Sequence, residues 1–144
     1  MTKNMIYKYE EKNTRVRVLA ASVESGTPVL DPGDARPAVA LTNSGDWVST
    51  VTNEDIPMGG GVTSLTYPNG GVGLIGKETT LAFDGTWELA VAGATTATAQ
   101  GSKVYITTGG TLTTTVGTNT LFGVVDYPTD YYKRAGILPV RIGD

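Results

Sequence analysis

The feature that most restricts this chain is its rhythm. Short alternating runs rich in Val and Thr are cut every few residues by Gly, Pro, Asn or Asp, and runs of helix-forming residues are missing. "TRVRVLAAS" (14–22) places Val16, Val18 and Ala20 on one face and Arg15, Arg17 and Leu19 on the other, as a half-buried strand does. Pro28-Val29-Leu30 begins a short extended piece that "DPGD" (31–34) ends. "PAVALT" (37–42) and "WVSTVT" (47–52) read as strands parted by "NSGD". "KETTLAFDGTWELAV" (77–91) reads as a hairpin about Asp84-Gly85, a dipeptide that suits a turn with positive φ. "SKVYITTGGTLTTTVG" (102–117) reads as a second hairpin turning at Gly109-Gly110, and "TLFGVVDY" and "GILPVRI" supply two more strands. Strands this short and this closely punctuated predict an all-β sandwich or small barrel.

Three segments break the rhythm. "AGATTATAQG" (92–101) suits a loop or a single helical turn. Residues 53–73 form a long Gly/Pro-rich excursion with one short strand at Val62–Tyr67, and such excursions are functional or mobile. Residues 1–13 carry no packing pattern beyond Ile6, Tyr7 and Tyr9 and read as an extended N-terminal arm. The remainder, 14–144, is expected to be a single β domain. A chain of 144 residues buries roughly 68% of its unfolded surface, enough for a core without staples.

Composition then narrows the chemistry. The sequence holds no Cys and no His, which removes thiolate chemistry, disulfides and the usual general base and metal ligand. The net charge is −3, yet residues 1–17 hold five cations and two anions, a local +3 that leaves −6 on the rest. An acidic body argues against nucleic-acid binding, whereas a basic arm suits an acidic partner. No apolar leader follows Met1 and no run approaches the ~18 apolar residues of a membrane span. The expectation is a soluble protein made in a cytoplasm, with no membrane partner.

"GGVGLIGKETTLAF" (70–83) contains G-x-G-x-x-G letter for letter and nearly spells a phosphate-binding loop. Such glycines hold a pyrophosphate only between a strand and a helix N-terminus. Here Glu78–Phe83 alternate as a strand, and Glu78 stands where Ser or Thr would meet magnesium. The glycines are therefore expected to serve a turn or a close backbone approach. Asp31 with Asp34, or Asp84 with Glu88, could be nominated as a glycosidase pair. Asp31, Asp34 and Asp84 adjoin Pro or Gly, where Asp stabilises turns, and "DPGD" lacks the alternating ligands of a calcium loop. No catalytic residue, cofactor or metal is expected. Trp47 and Trp87 could stack on a sugar, but Trp87 alternates with Leu89 and Val91 and suits a core or a subunit contact. In "DYPTDYYKRAG" (126–136), Tyr131, Tyr132, Lys133 and Arg134 follow Pro128, a composition suited either to a partner or to a loop lying on the body.

The stretch 85–125 resembles the capsid cement, or head decoration, family of tailed phages. The residues that carry the likeness are Gly85, Trp87 and Leu89; Gly101, Val104 and Tyr105; Thr111–Thr115; and Gly117, Asn119, Gly123 and Val124. "SGTPV" (25–29), "AVALT" (38–42) and "GILPVRI" extend it over most of 16–142, while the 53–73 excursion and the arm are longer than the family's pattern. The resemblance implies a small β-barrel or β-tulip-like domain that forms a homotrimer. It implies a virion protein on the outer capsid surface, at three-fold and quasi-three-fold positions, bound to the major capsid protein. A carbohydrate- or host-surface-binding β module is the alternative. The arm residues Lys3, Met5, Ile6, Tyr7, Lys8 and Tyr9 are the expected capsid contacts, through strand addition. Trp87, Tyr131, Tyr132 and Arg134 are the expected trimer or partner contacts.

Overall fold

The computed structural model describes residues 5–7, 13–52, 59–61 and 63–143. Among these residues the chain forms β-strands and no helix. The strands are β1 (Met5–Tyr7), β2 (Thr14–Val18), β3 (Pro28–Leu30), β4 (Pro37–Ala40), β5 (Val48–Thr52) and β6 (Ser64–Pro68), then β7 (Glu78–Ala82), β8 (Gly85–Ala90), β9 (Lys103–Ile106), β10 (Leu112–Thr113), β11 (Thr120–Val125) and β12 (Ile137–Ile142).

The main sheet runs β1-β8-β12-β11-β9-β10, with every pair antiparallel. Alternation dictates its inner face. Trp87 and Leu89 of β8 point inward with their partners Val140 and Leu138 of β12, and Val104 and Phe122 join them. The sheet curls until Ala92, just past β8, bridges Thr113 of β10 in parallel, which brings the half-barrel together at that end. Gly123 allows the bulge that bends β11. A Cβ there would lie 2.4 Å from the Arg141 carbonyl oxygen.

A second sheet, β2-β7-β4-β3, lies against the barrel. Val39 and Ala82 face the barrel core, while Ala38, Ala40 and Leu81 look the other way and pack with Leu19 and Phe83 in a second cluster. The third sheet is a two-stranded ribbon, β5-β6, paired from Val48↔Pro68 to Thr52↔Ser64.

The predicted second hairpin stands: β9 and β10 pair as Ile106↔Leu112, and Gly110 turns the loop at φ 86°. The first hairpin does not. β7 and β8 adjoin in sequence but belong to different sheets, and Asp84-Gly85 is the corner between them. Gly85 has φ 104°, and the Trp87 indole donates to the Asp84 carbonyl at 2.9 Å. The cause is tertiary. Phe83 belongs to one core cluster and Trp87 to the other. Folding the two strands onto one another would break this division, and burying a side chain of this size is worth roughly 1.5–3 kcal/mol. Packing thus outweighs a turn signal.

Residues 92–101 are a loop, held by Thr98 Oγ1 accepting from the Thr95 N–H at 3.0 Å. The 53–73 excursion carries β6 close to the expected place, and residues 53–58 and 62 lie outside the described residues. Within the arm, Met5–Tyr7 pair with β8 at Trp87 and Thr86. Asn13 ties the arm's root to the corner, its carbonyl accepting from the Phe83 N–H at 3.1 Å.

Candidate functional site

The glycine loop is a brace. Gly71 N–H donates to the Asn43 carbonyl at 3.1 Å, and Asp46 N–H donates to the Gly76 carbonyl at 2.7 Å. A Cβ on Gly70 would sit 2.1 Å from the Gly45 carbonyl oxygen, while Gly73 and Gly76 take φ of 79° and 50°. Gly70 answers a close approach and the other two answer turns. β7 follows where a nucleotide-binding loop needs a helix. Val72 is fully exposed and Ile75 is 73% exposed, so the loop turns apolar tips to water.

The nominated carboxylates are committed elsewhere. Asp31 is buried and accepts from Arg17 Nε at 2.8 Å and from the Asp34 N–H at 3.3 Å. Burial raises its pKa, but the hydrogen bonds from Asp34 and Arg17, with the arginine's charge, outweigh that and hold it below the usual 3.8. Asp84 is buried in the corner, with Asn13 Nδ2 at 3.4 Å from its Oδ2. Glu88 stands on the outer face of β8 beside its partner Pro139. It accepts from the Tyr131 hydroxyl at 3.1 Å and from Arg134 in a short ion pair. Among the described residues no cluster of acidic side chains could hold a metal ion.

The tyrosine-rich loop thereby divides into a buried and an open part. Tyr131 lies on the body, its ring 5.6 Å from that of Tyr127, and Lys133 stands 4.5 Å over the Tyr127 ring. Burial pushes the Tyr127 and Tyr131 hydroxyls above their ordinary pKa. Tyr132 alone of the three points outward, 80% exposed. Of the expected partner contacts, Tyr132 is thus free, and Arg134 is half-exposed but tied to Glu88. Trp87 is wholly buried in the barrel core of its own chain and has no surface to offer a partner or a sugar. Trp47, the other tryptophan, is half-buried at the foot of the ribbon. Of the arm residues, Met5, Ile6 and Tyr7 form β1, and Lys3, Lys8 and Tyr9 lie outside the described residues.

Two features had no clear sequence signal. Val16 and Val18 of the edge strand β2 are 50% and 66% exposed, while Arg17 on the opposite face turns inward to Asp31. The alternation marked two faces but not which one would be covered. The second feature is the ribbon. Its strands carry no charged residue, and Val48, Leu65 and Tyr67 are about half exposed, at 54%, 55% and 45%.

These features define a class: an all-β domain with a curled half-barrel, a flanking sheet, a projecting ribbon and an N-terminal strand on the barrel's edge. No family model, curated protein or solved structure matches the chain.

Proposed function

We propose that the chain is a non-enzymatic decoration protein that binds the outside of a phage head as a homotrimer and stabilises the shell. The observation that carries the reading is where the family-like residues fall. Gly85, Trp87 and Leu89 lie on β8, Val104 and Tyr105 on β9, Leu112 and Thr113 on β10, and Gly123 and Val124 on β11. The likeness therefore runs along one continuous curled sheet, with Gly101, Thr111, Thr114, Thr115, Gly117 and Asn119 in the loops that join its strands.

Two further observations support it. The apolar side chains of Val72, Ile75, Leu65 and Tyr67 stand exposed on the ribbon and the loop at its foot, a cost for a lone chain and an asset for an assembling one. An isolated two-stranded ribbon is also marginal in water and gains from being covered. The arm works by strand addition: β1 is the last strand of its sheet, and a strand of the capsid protein extends that sheet past it. Three arms per trimer act with high effective concentration.

The test is sedimentation of the pure protein, alone and with empty expanded heads. The expected result is a trimer that co-sediments. A species that stays monomeric at high concentration and ignores the shells overturns the reading.

A further inference from the structure

The loop 92–101 is pinned at both ends and in its middle. The Thr114 N–H donates to the Ala92 carbonyl at 3.1 Å, and the Gly101 N–H donates to the Val125 carbonyl at 2.9 Å. Between them the Tyr127 hydroxyl donates to the Thr98 carbonyl at 2.8 Å. The chain then enters β9, whose Val104 and Ile106 belong to the barrel core. Alternation turns Lys103 and Tyr105 to the outer face. Loop and strand border a cavity of about 410 Å³, lined by Gly93, Thr98, Ser102, Lys103, Tyr105 and Thr114. Walls tied down in this way hold their geometry before any ligand arrives.

The lining carries one cation, several hydroxyls and no carboxylate. It is a basic spot on a body whose residues beyond 17 carry a net −6. Among the described residues, the side chains of Ser102, Lys103, Tyr105 and Thr114 make no hydrogen bond or ion pair. Ser102, Tyr105 and Thr114 are half-buried, and polar groups shielded from bulk water are normally satisfied by some partner. Gly93 keeps the space clear. A Cβ there would lie 2.6 Å from Thr114 Oγ1 and crowd that hydroxyl.

We propose that this cavity binds an acidic sugar, with Lys103 on its carboxylate and Ser102, Tyr105 and Thr114 on its ring hydroxyls. Sugar hydroxyls donate and accept, as these three side chains do, while the ammonium offers three donors and a full charge. The half-buried Tyr105 ring gives the C–H face of the sugar an apolar wall. The volume falls in the ~300–1,000 Å³ range of small-ligand pockets. A bare anion would engage Lys103 and leave three hydroxyls idle, whereas a neutral sugar would leave the charge idle. Neither tryptophan lines the cavity. Binding there needs neither a trimer nor a capsid, so its failure and the failure of shell binding are separate results.

The test is a titration of the full chain with glucuronate, glucose and inorganic phosphate, followed by backbone amide NMR shifts. Lys103 is exposed, so Lys103→Gln leaves the fold intact, and Lys77→Gln is the control on an exposed lysine outside the cavity. Tyr105→Phe removes one hydroxyl and keeps the ring. Circular dichroism confirms that each variant is folded.

Glucuronate should saturate with a dissociation constant of about 1–10 mM, moving the amides of the lining residues. Glucose should bind about fivefold more weakly, and Lys103→Gln should bring glucuronate down to the glucose level without changing glucose. Tyr105→Phe should weaken both sugars about twofold or more, and Lys77→Gln should change nothing. The proposal is overturned if glucuronate at ten times the expected constant moves no lining amide, or if Lys103→Gln binds it as wild type does. It is also overturned if phosphate binds as tightly as glucuronate and Tyr105→Phe leaves both unchanged, which would make Lys103 a simple anion contact.

Discussion

Gly70→Ala tests whether the glycine-rich stretch is a brace or a ligand loop. The new Cβ would lie 2.1 Å from the Gly45 carbonyl oxygen and 2.5 Å from that of Ser44, against the 3.4 Å where ordinary contact begins. Both obstacles are backbone, so the two loops must part by about 1.3 Å. That movement strains hydrogen bonds on either side: Asn69 N–H to Trp47 at 2.8 Å, Gly71 N–H to Asn43 at 3.1 Å, and Asn43 Nδ2 to Asn69 at 2.6 Å. Losing two of them costs about 2 kcal/mol, and overpacking adds about 1–3 kcal/mol. The expected loss is thus about 3–5 kcal/mol, a large share of the ~5–15 kcal/mol that holds a domain together. Gly73→Ala meets nothing within 4 Å and suffers only its φ of 79°, a cost of about 1–2 kcal/mol. Calorimetry or urea unfolding of both variants separates the cases. At about 2–4 °C per kcal/mol, Gly70→Ala should melt roughly 10 °C below wild type and Gly73→Ala a few degrees below. Adding ATP or NAD at millimolar concentration should move neither melting point. A Gly70→Ala protein as stable as wild type, or a nucleotide that stabilises wild type and not Gly73→Ala, refutes the reasoning.

Trp87→Ala should cost about 3–5 kcal/mol in urea unfolding, because it empties a wholly buried site and removes the indole hydrogen bond to the Asp84 carbonyl. Asp31 has a folded pKa below its ordinary 3.8, so its contribution is fully present above that value and fades as pH falls through the folded pKa. Asp31→Asn should therefore destabilise at pH 7, and the gap to wild type should narrow in acid below about pH 4. Tyr131 and Tyr127 have hydroxyls raised above 10.0 by burial; their contribution is present below pH 10 and lost above it, which absorbance-monitored alkaline unfolding reads. Thr79→Val removes the 3.0 Å contact with Ser44 in a fully buried pair and should cost about 1–3 kcal/mol.

How far the fold was legible depends on whether a signal was local. β9, β10, β11 and β12 were readable because each buries alternate residues against the same core, so the period-two pattern and the final geometry agree. Thr107–Thr111 is a turn whose residues make their own closing hydrogen bonds, Thr107 N–H to the Thr111 carbonyl and Gly110 N–H to the Thr107 carbonyl. Asp84-Gly85 carries an equally strong turn signal but joins strands of two different sheets. The Asp84 carbonyl accepts from the Trp87 indole three residues on, and the Asp84 carboxylate meets Asn13, 71 positions away. Nothing in the fifteen residues around it distinguishes a corner between sheets from a reversal within one. The distinction lies in which cluster Phe83 and Trp87 each join, and that depends on strands far along the chain.

The candidate site divides along the same line. The tyrosine loop declared itself by composition, but which of its rings lies down was decided by Glu88, a residue 43 positions earlier on another strand. The exposure of Val16 and Val18 was equally hidden, because β2 pairs on one edge only and its inward face is claimed by Leu19 and the Arg17–Asp31 pair. The cleft of about 370 Å³ beside β8, walled by Glu88–Ala90, the loop 24–28 and Gly110–Leu112, had no sequence signature at all. It exists because the barrel's first and last strands reach the same edge at different heights, Thr86 and Ala92. A seam of that kind is an exposed strand edge, which folded proteins cover, shorten or charge. Here Ala90 and Leu89 bring no charge to it, and Glu88 directs its carboxylate to Arg134 and Tyr131 rather than along the edge. Covering is the remedy left, supplied by β1 at Thr86 and Trp87 and by the bridge from β10 at Ala92.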